Sequence, residues 1–385
     1  MFSSWSDVRR LLIVKPSSLG DVVHALPTLA ALRRRFPSAT FSWLVKREWA
    51  EVLEGNPDLD EVLAVDLSAQ GWPAAIRAVR EGRFDLMVDL QGLLRSAVLG
   101  WASGSAVRVG FANGREGSPW FYTHRVPVPD ASLHAVDRYL LMARFLGAEP
   151  EKPGPSAFCL PRDPSAEARV EALLAAAGVQ AGTMLVALNP SARWMTKRWP
   201  AESFAAVGDW LQRHGGVRVA VVGSGKERSA GDEVIRCMQT APLDLVGKTT
   251  MKELIALLRR LRVFITNDSG PMHLAAAVGT PVIAPFGPTD PARTGPYGAG
   301  HAVLRSDVAC SPCFSRRCAN AVDMECLTAI RPEQVIEAVS LLWDVEKPRN
   351  AIFLSFPRSH RHSHESGNPG LLEKMDPRFR GDDGG

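Results

Sequence analysis

The chain has little cysteine: six among 385 residues, too few for a disulfide framework in a protein this long. It has little net charge, +4, whereas a nucleic-acid-binding domain is usually strongly basic. No stretch of about 18 uncharged apolar residues occurs, which excludes a spanning helix. The best candidate, Leu274 to Phe286, is broken by Gly279 and Pro281. Near the start, the apolar run Leu11–Val14 is too short for a signal peptide's apolar region. A cytoplasmic protein is expected, with no transmembrane segment and no nucleic-acid partner. There is no G-x-G-x-x-G and no G-x-x-x-x-G-K-[ST], so neither Rossmann-type dinucleotide binding nor a P-loop is supported. What is present is ordinary globular composition, 46% hydrophobic and 22% charged, which excludes a disordered, collagen-like or coiled-coil chain.

Short apolar runs alternate with helix-period stretches. Strands are predicted at Arg9–Val14, Phe41–Val45, Glu61–Val65 and Phe84–Leu90, with helices at Asp21–Arg35, Gly92–Trp101 and Ser132–Leu146. The strands are continuous apolar runs, as in a parallel sheet covered on both faces. Five prolines mark Gly147–Pro164 as a linker, with a further strand expected at Ala157–Leu160. The alternation then restarts. Strands are predicted at Met184–Leu188, Val217–Val222, Val263–Thr266 and Val282–Phe286, with helices at Glu202–His214, Met251–Leu261 and Pro271–Val278. The expectation is an α/β protein of two Rossmann-like, doubly wound parallel-sheet domains, 1–160 and 161–348, followed by a disordered tail, 349–385. Ser355–Gly385 is polar and aperiodic and cannot offset its ordering entropy. Its His360, His362 and His364 allow a metal reading, against which stands the absence of any pre-organised site.

Four constellations carry chemistry. Lys15-Pro16-Ser17-Ser18-Leu19-Gly20-Asp21 joins a strand end to a helix start, where ligands sit in α/β folds. Asp21 is either a helix cap favoured by the dipole or a general base at a cleft mouth. Thr266-Asn267-Asp268-Ser269-Gly270-Pro271-Met272-His273 is a well-specified helix N-terminus suited to a phosphate. His273 can donate to a phosphate oxygen, while Asp268 suits a sugar hydroxyl or loop amides; the alternative is a capped helix with no ligand. Asn189 through Pro200 brings Arg193, Lys197 and Arg198 into a loop at the same edge, either a solvated basic loop or cations that neutralise a pyrophosphate leaving group. Glu227, after Gly223-Ser224-Gly225-Lys226, is a dipole-favoured acid or the holder of a ribose diol.

Cys310-x2-Cys313-x4-Cys318-x7-Cys326 opens with metal-ligand spacing. A four-thiolate zinc or iron–sulfur site is chemically possible, but the later spacings fit no standard knuckle, so a structural thiol cluster or an occasional disulfide is expected rather than a metal. Cys159 and Cys237 read as isolated buried thiols. In the first half Asp89–Arg95, Arg108, Arg115–Ser118 and His134–Arg138 form a polar, basic set suited to an anionic acceptor through arginine contacts.

These residues resemble the ADP-heptose:lipopolysaccharide heptosyltransferases of glycosyltransferase family 9. The motifs are K-P-S-S-L-G-D-V-V-H-A-L-P at Lys15–Pro27, T-K-R-W-P at Thr196–Pro200, N-D-S-G-P-M-H at Asn267–His273 and F-G-P-T-D-P at Phe286–Pro291. The resemblance implies a GT-B architecture and an inverting, metal-free transfer without cofactor, from ADP-heptose to a Kdo-bearing lipid A acceptor at the inner membrane. By the resemblance Asp21 is the base and Lys197 contacts the donor phosphates and sugar. Ser191, Glu227, Thr249, Asp268, Ser269, Gly270 and His273 complete the donor side. Ser17, Ser18, Gly20, Arg95, Arg115, His134 and Arg138 are the acceptor-side candidates. Ala192 and Arg193 stand where some relatives carry hydroxyl residues. Such an enzyme is expected in the cytoplasm, in peripheral contact with the inner face of the inner membrane.

Overall fold

The structure is a computed structural model and describes Trp5 and residues 8–150, 154–343 and 352–356. The chain divides into two compact units. The first takes the described residues up to Pro164 together with 276–279 and 292–298, and the second takes the remainder.

The first unit holds β1 (Arg10–Val14), α1 (Leu19–Arg35), β2 (Thr40–Lys46), β3 (Glu61–Val65), α2 (Trp72–Glu81), β4 (Leu86–Asp89), α3 (Leu94–Ala102), β5 (Val107–Phe111), β6 (His124–Val126) and α4 (Ala135–Phe145). The strands form one parallel sheet in the order β3-β2-β1-β4-β5-β6. Leu11 to Val14 are all buried, as a strand covered on both faces requires, which is why the run is continuous rather than alternating. Leu12, Val14, Leu44, Met87 and Leu99 share one apolar cluster, each contributing about 1.5–3 kcal/mol of burial. The chain runs outward from β1 to β3 and returns on the other side of β1 with β4. The switch point therefore lies between β1 and β4, where loops diverge and open a crevice. Val14 stands opposite Asp89 there.

The second unit continues with α5 (Pro164–Ala176), β7 (Leu185–Asn189), α6 (Ala201–His214), β8 (Arg218–Val221), α7 (Arg228–Cys237), β9 (Leu243–Asp244), α8 (Met251–Arg260), β10 (Val263–Thr266), α9 (Gly270–Ala277) and β11 (Val282–Phe286); after α10 (Pro291–Thr294), which falls mostly in the first unit, come β12 (Ala302–Ser306), α11 (Glu325–Thr328), α12 (Pro332–Trp343) and β13 (Ile352–Phe356). Its parallel sheet has the order β13-β12-β11-β10-β7-β8-β9. The switch point is between β7 and β10, and Asn189 is paired in register with Thr266 at that edge. Trp199 is buried, stacks edge-on against Phe204 at 5.0 Å and donates its indole N–H to the Ile330 carbonyl at 2.9 Å. The loop that follows β7 is thereby anchored in the core.

Three expectations are corrected. The strand foreseen at Ala157–Leu160 is instead a 3₁₀ turn, Pro155–Phe158, and Cys159 at φ 43° takes a left-handed conformation that ends any extension. Part of the segment foreseen as tail is ordered: residues 352–356, a β-prone IFLSF run, add the parallel edge strand β13 to β12. The rest of that tail, with His360, His362 and His364, lies outside the described residues. The helix foreseen from Gly92 starts at Leu94 because Gly92 itself has φ 67°.

Candidate active site

At the first switch point the loop 15–18 feeds α1, and Asp21 stands in its first turn. Ser18, the N-cap, donates its amide and its hydroxyl to Asp21 Oδ2 at 3.0 and 2.8 Å. This is the capping reading realised, yet it occupies only one oxygen. Oδ1 accepts from the Tyr139 hydroxyl at 2.9 Å and lies 3.7 Å from Lys15 Nζ. Lys15 is buried, with its ammonium 5.0 Å from the centre of the Tyr139 ring. The Asp21 side chain keeps 38% of its surface exposed, so a ligand can reach it. Burial alone would raise the Asp21 pKa. The Lys15 charge and the hydrogen bonds from Ser18 and Tyr139 outweigh burial and hold it below the ordinary carboxylate value. Burial in turn pushes the Lys15 pKa down, against the pull of Asp21 and Asp89. Burial and the Asp21 charge push the Tyr139 phenol well up, so Tyr139 remains a donor.

The neighbouring loop is held by Asp89, which is fully buried at the end of β4. It accepts from the Ser96 hydroxyl at 2.8 Å, the Tyr122 hydroxyl at 2.7 Å and the amides of Gln91 and Gly92 at 2.8 and 3.0 Å. Its pKa is raised by desolvation in spite of those donors.

The acceptor-side candidates fall into two groups. Ser17, Ser18 and Gly20 lie in the Asp21 loop and first turn, while Arg95 is exposed in the first turn of α3 and Arg115 is exposed on the loop after β5. The Arg115 amide donates to the Gly92 carbonyl at 2.9 Å, tying those loops together. Arg138 lies over the Phe111 ring at 4.7 Å, gives one N–H to Asn113 at 3.1 Å and has a buried Nε with no hydrogen-bond partner among the described residues. Burial lowers its pKa, as does Arg115, while Asp21 attracts it. His134 and Arg108 are spent within the protein. His134 caps α4 by accepting from the Val136 amide at 3.2 Å through Nδ1, and its Nε2 meets the Gly295 carbonyl at 3.1 Å. Arg108 donates to the carbonyls of Phe121 and Ser105 at 2.8 and 2.6 Å.

At the second unit's switch point the side chains of Asn189 and Asn267 lace the loops together. Asn189 donates to the hydroxyls of Thr266 and Ser269, both at 3.0 Å. Asn267 donates to the Pro190 carbonyl at 2.7 Å and accepts the Trp199 amide at 2.9 Å. This brings Lys197 to Asp268: the ammonium is 2.6 Å from Asp268 Oδ2, and Thr289 donates its hydroxyl to the same oxygen at 2.6 Å. Asp268 is thus engaged with a lysine and a threonine rather than with loop amides. Ser269 and Gly270 open α9, and His273 is buried in its first turn. Ser191 is buried with a hydroxyl that has no hydrogen-bond partner among the described residues, and it lies beside Gly223, where an added Cβ would come within 3.4 Å of that oxygen. Glu227 repeats the device seen at Asp21. Ser224, three residues earlier, donates its amide and hydroxyl to Oε2 at 3.0 and 2.7 Å. The Gly247 amide donates to the Gly223 carbonyl at 2.8 Å, which packs the Thr249 loop against the Glu227 loop.

The four cysteines at 310, 313, 318 and 326 are free thiols, and among the described residues no three His, Cys, Asp or Glu side chains are placed to hold a metal ion. They are nevertheless near one another. Burial, followed by the other three cysteines, raises the Cys326 pKa to about 11. Their loop is docked on the loops after β7 and β11: Ser311 donates to the Gly287 carbonyl at 2.6 Å, the Phe314 amide to the Pro288 carbonyl at 2.7 Å, and Thr196 to the Ser315 carbonyl at 2.9 Å.

Sequence reading missed Lys15 and Tyr139 as partners of Asp21, Thr289 as a partner of Asp268, and the lacing role of Asn189 and Asn267. Lys15 and Thr289 sit inside the quoted motifs, so their signal was present without a partner to explain it. The signal for Tyr139 is rarity. The chain has three tyrosines, and each donates to an aspartate: Tyr122 to Asp89, Tyr139 to Asp21 and Tyr297 to Asp137.

Two doubly wound parallel units, one carrying a half-exposed carboxylate and the other a lysine and a helix N-terminus at its switch point, define a glycosyltransferase of the GT-B class. Residues 72–322 match glycosyltransferase family 9 (heptosyltransferase). The chain is 30% identical to lipopolysaccharide heptosyltransferase 1 of Pseudomonas aeruginosa over 325 residues, covering 80% of this chain and 87% of that protein. The glycosyl transferase family 9 structure from Veillonella parvula superposes with a TM-score of 0.77 at 26% identity, covering 88% of this chain and 97% of that one. The Escherichia coli heptosyltransferase WaaC with ADP shares the fold at a TM-score of 0.67 and 23% identity, covering 86% and 99%. The chain belongs to glycosyltransferase family 9, the heptosyltransferases. Among the described residues no helix is long and apolar enough to cross a membrane.

Proposed function

We propose that the protein transfers L-glycero-D-manno-heptose from ADP-heptose to the Kdo-bearing inner core of a lipopolysaccharide precursor, with inversion at the anomeric carbon. The observation that carries this reading is the Lys197–Asp268–Thr289 cluster at the β7/β10 switch point, a lysine ammonium fixed where a nucleotide-sugar phosphate is expected. Asp21 removes the proton of the acceptor hydroxyl as that oxygen attacks the anomeric carbon. Its depressed pKa keeps it ionised and makes it a weak base, so proton transfer accompanies bond formation rather than preceding it. The bond to the diphosphate breaks as the new glycosidic bond forms. Lys197 and the amides and first-turn His273 of α9 stabilise the departing ADP. Glu227 holds the ribose through Oε1, the oxygen that Ser224 leaves unused. Ser191, Thr249, Ser269 and Gly270 complete the donor pocket, and Arg138 with Arg95 and Arg115 receives the acceptor's anionic groups.

Peripheral membrane contact belongs to the same proposal. Trp101 and Trp120 are 57% and 84% exposed, and the turn 118–121 that carries Trp120 packs against α3. Exposed Leu94 and Arg95 lie in the first turn of α3, and exposed Arg115 lies on the loop that leads into the turn 118–121. Aromatic rings beside arginines suit the headgroup region of an anionic leaflet.

The experiment is an assay with ADP-heptose and a Kdo-lipid A acceptor, run beside a panel of other nucleotide sugars and in the presence of a chelator. Transfer from ADP-heptose alone, undiminished by the chelator, is expected. Transfer from a different donor with none from ADP-heptose would replace the donor assignment.

A further inference from the structure

Trp194 stands in the loop after β7, half-buried, and two cations share its ring. Lys197 Nζ is 4.8 Å from the ring centre, and the guanidinium carbon of Arg316 is 5.1 Å from it. The two charges are thus within about 10 Å of each other, roughly one Debye length at ordinary ionic strength. Lys197 has Asp268 as its counter-charge. Arg316 is exposed and has no carboxylate within ion-pair distance among the described residues. The loop that carries it does not simply drift near Trp194. The three hydrogen bonds from Ser311, Phe314 and Thr196 fix it to both the loop holding Lys197 and the loop holding Thr289. Folding therefore places two cations beside one carboxylate, and a net positive charge is left over at this point. An anion seated beside Trp194 meets the field of both cations.

We propose that Arg316 is a second cationic ligand of the donor site, whose guanidinium binds the diphosphate of a nucleoside diphosphate sugar beside Lys197. This rests on the donor reading given above and adds to it a residue from the cysteine loop. A planar guanidinium parked on an aromatic ring keeps its N–H fork directed and pairs two oxygens of a phosphate, which an ammonium cannot do. A diphosphate, with more charge and more oxygens than a monophosphate, is the ligand class that uses both cations.

The test is calorimetric titration of the full chain with ADP, AMP and adenosine, for the unmodified protein and for Arg316→Gln and Arg316→Lys. Because Arg316 is exposed, an unchanged thermal midpoint is expected and serves as the folding control. For Arg316→Gln, ADP affinity is expected to fall about tenfold, with adenosine affinity unchanged and the ADP-over-AMP preference reduced. Arg316→Lys is expected to fall between the two. If the unmodified protein binds ADP and Arg316→Gln binds it equally well, the assignment of Arg316 is overturned while the donor reading stands. If the unmodified protein shows no preference for ADP over adenosine, the donor reading fails and takes this inference with it.

Discussion

The Tyr139 hydroxyl donates to Asp21 Oδ1 across 118 residues of sequence, at 2.9 Å. The bond favours the ionised carboxylate, so it helps to hold the Asp21 pKa down. Tyr139→Phe keeps the ring beside Lys15 and deletes only the donor. The pairing energy of an acid with a depressed folded pKa is present above its ordinary carboxylate value and is lost as pH falls through the depressed value. Removing the donor moves that loss to higher pH. The acid limb of the kcat/KM–pH profile is expected to shift upward in Tyr139→Phe, and an unmoved limb would separate Tyr139 from the titration of the base.

Asp21→Asn keeps the size of the side chain and its hydrogen bond from Ser18, but abolishes the base. Turnover of ADP-heptose is expected to fall by about 10²–10⁴-fold, with ADP binding little changed because the donor candidates lie on other loops. Near-normal turnover in Asp21→Asn would transfer the base role elsewhere.

Lys197→Met is expected to lower kcat/KM by about 10²–10³-fold through loss of charge stabilisation at the leaving group. Thr289→Val removes one of two donors to Asp268 while leaving the lysine in place. A smaller loss, about tenfold or less, is expected there. Equal losses in the two variants would mean that Lys197 acts only through the geometry of Asp268.

Asp89 organises its loop without exposure to solvent, accepting from two hydroxyls and two amides. Asp89→Ala leaves those donors without their acceptor and opens a void. A destabilisation of about 2–4 kcal/mol is expected, read as a lowered thermal midpoint. Asp89→Asn, which keeps one acceptor oxygen, is expected to lose less.

Much of the fold was legible because a parallel sheet buries its strands on both faces. Runs such as Leu11–Val14 and Val282–Phe286 therefore announce themselves without any partner. Both site loops were legible for a related reason: they are the small-residue segments between a strand and a helix start. Contacts distant in sequence were not. Tyr139 looks like any core aromatic of an amphipathic helix until β1, α1 and α4 are packed. Arg316 looks like one more exposed arginine until its loop is fastened to Thr196. The misread segment at Ala157–Leu160 failed on local stereochemistry, since apolar content there could not reveal that Cys159 takes a positive φ. The strand at 352–356 was hidden by the polar sequence that follows it.

Asp268 receives the lysine and the threonine on the same oxygen. The ordering of a long, flexible cation is thus met once, during folding, and is not charged again at each catalytic cycle. In the proposed reaction, a lysine held by the fold's own carboxylate needs no nucleotide to arrange it.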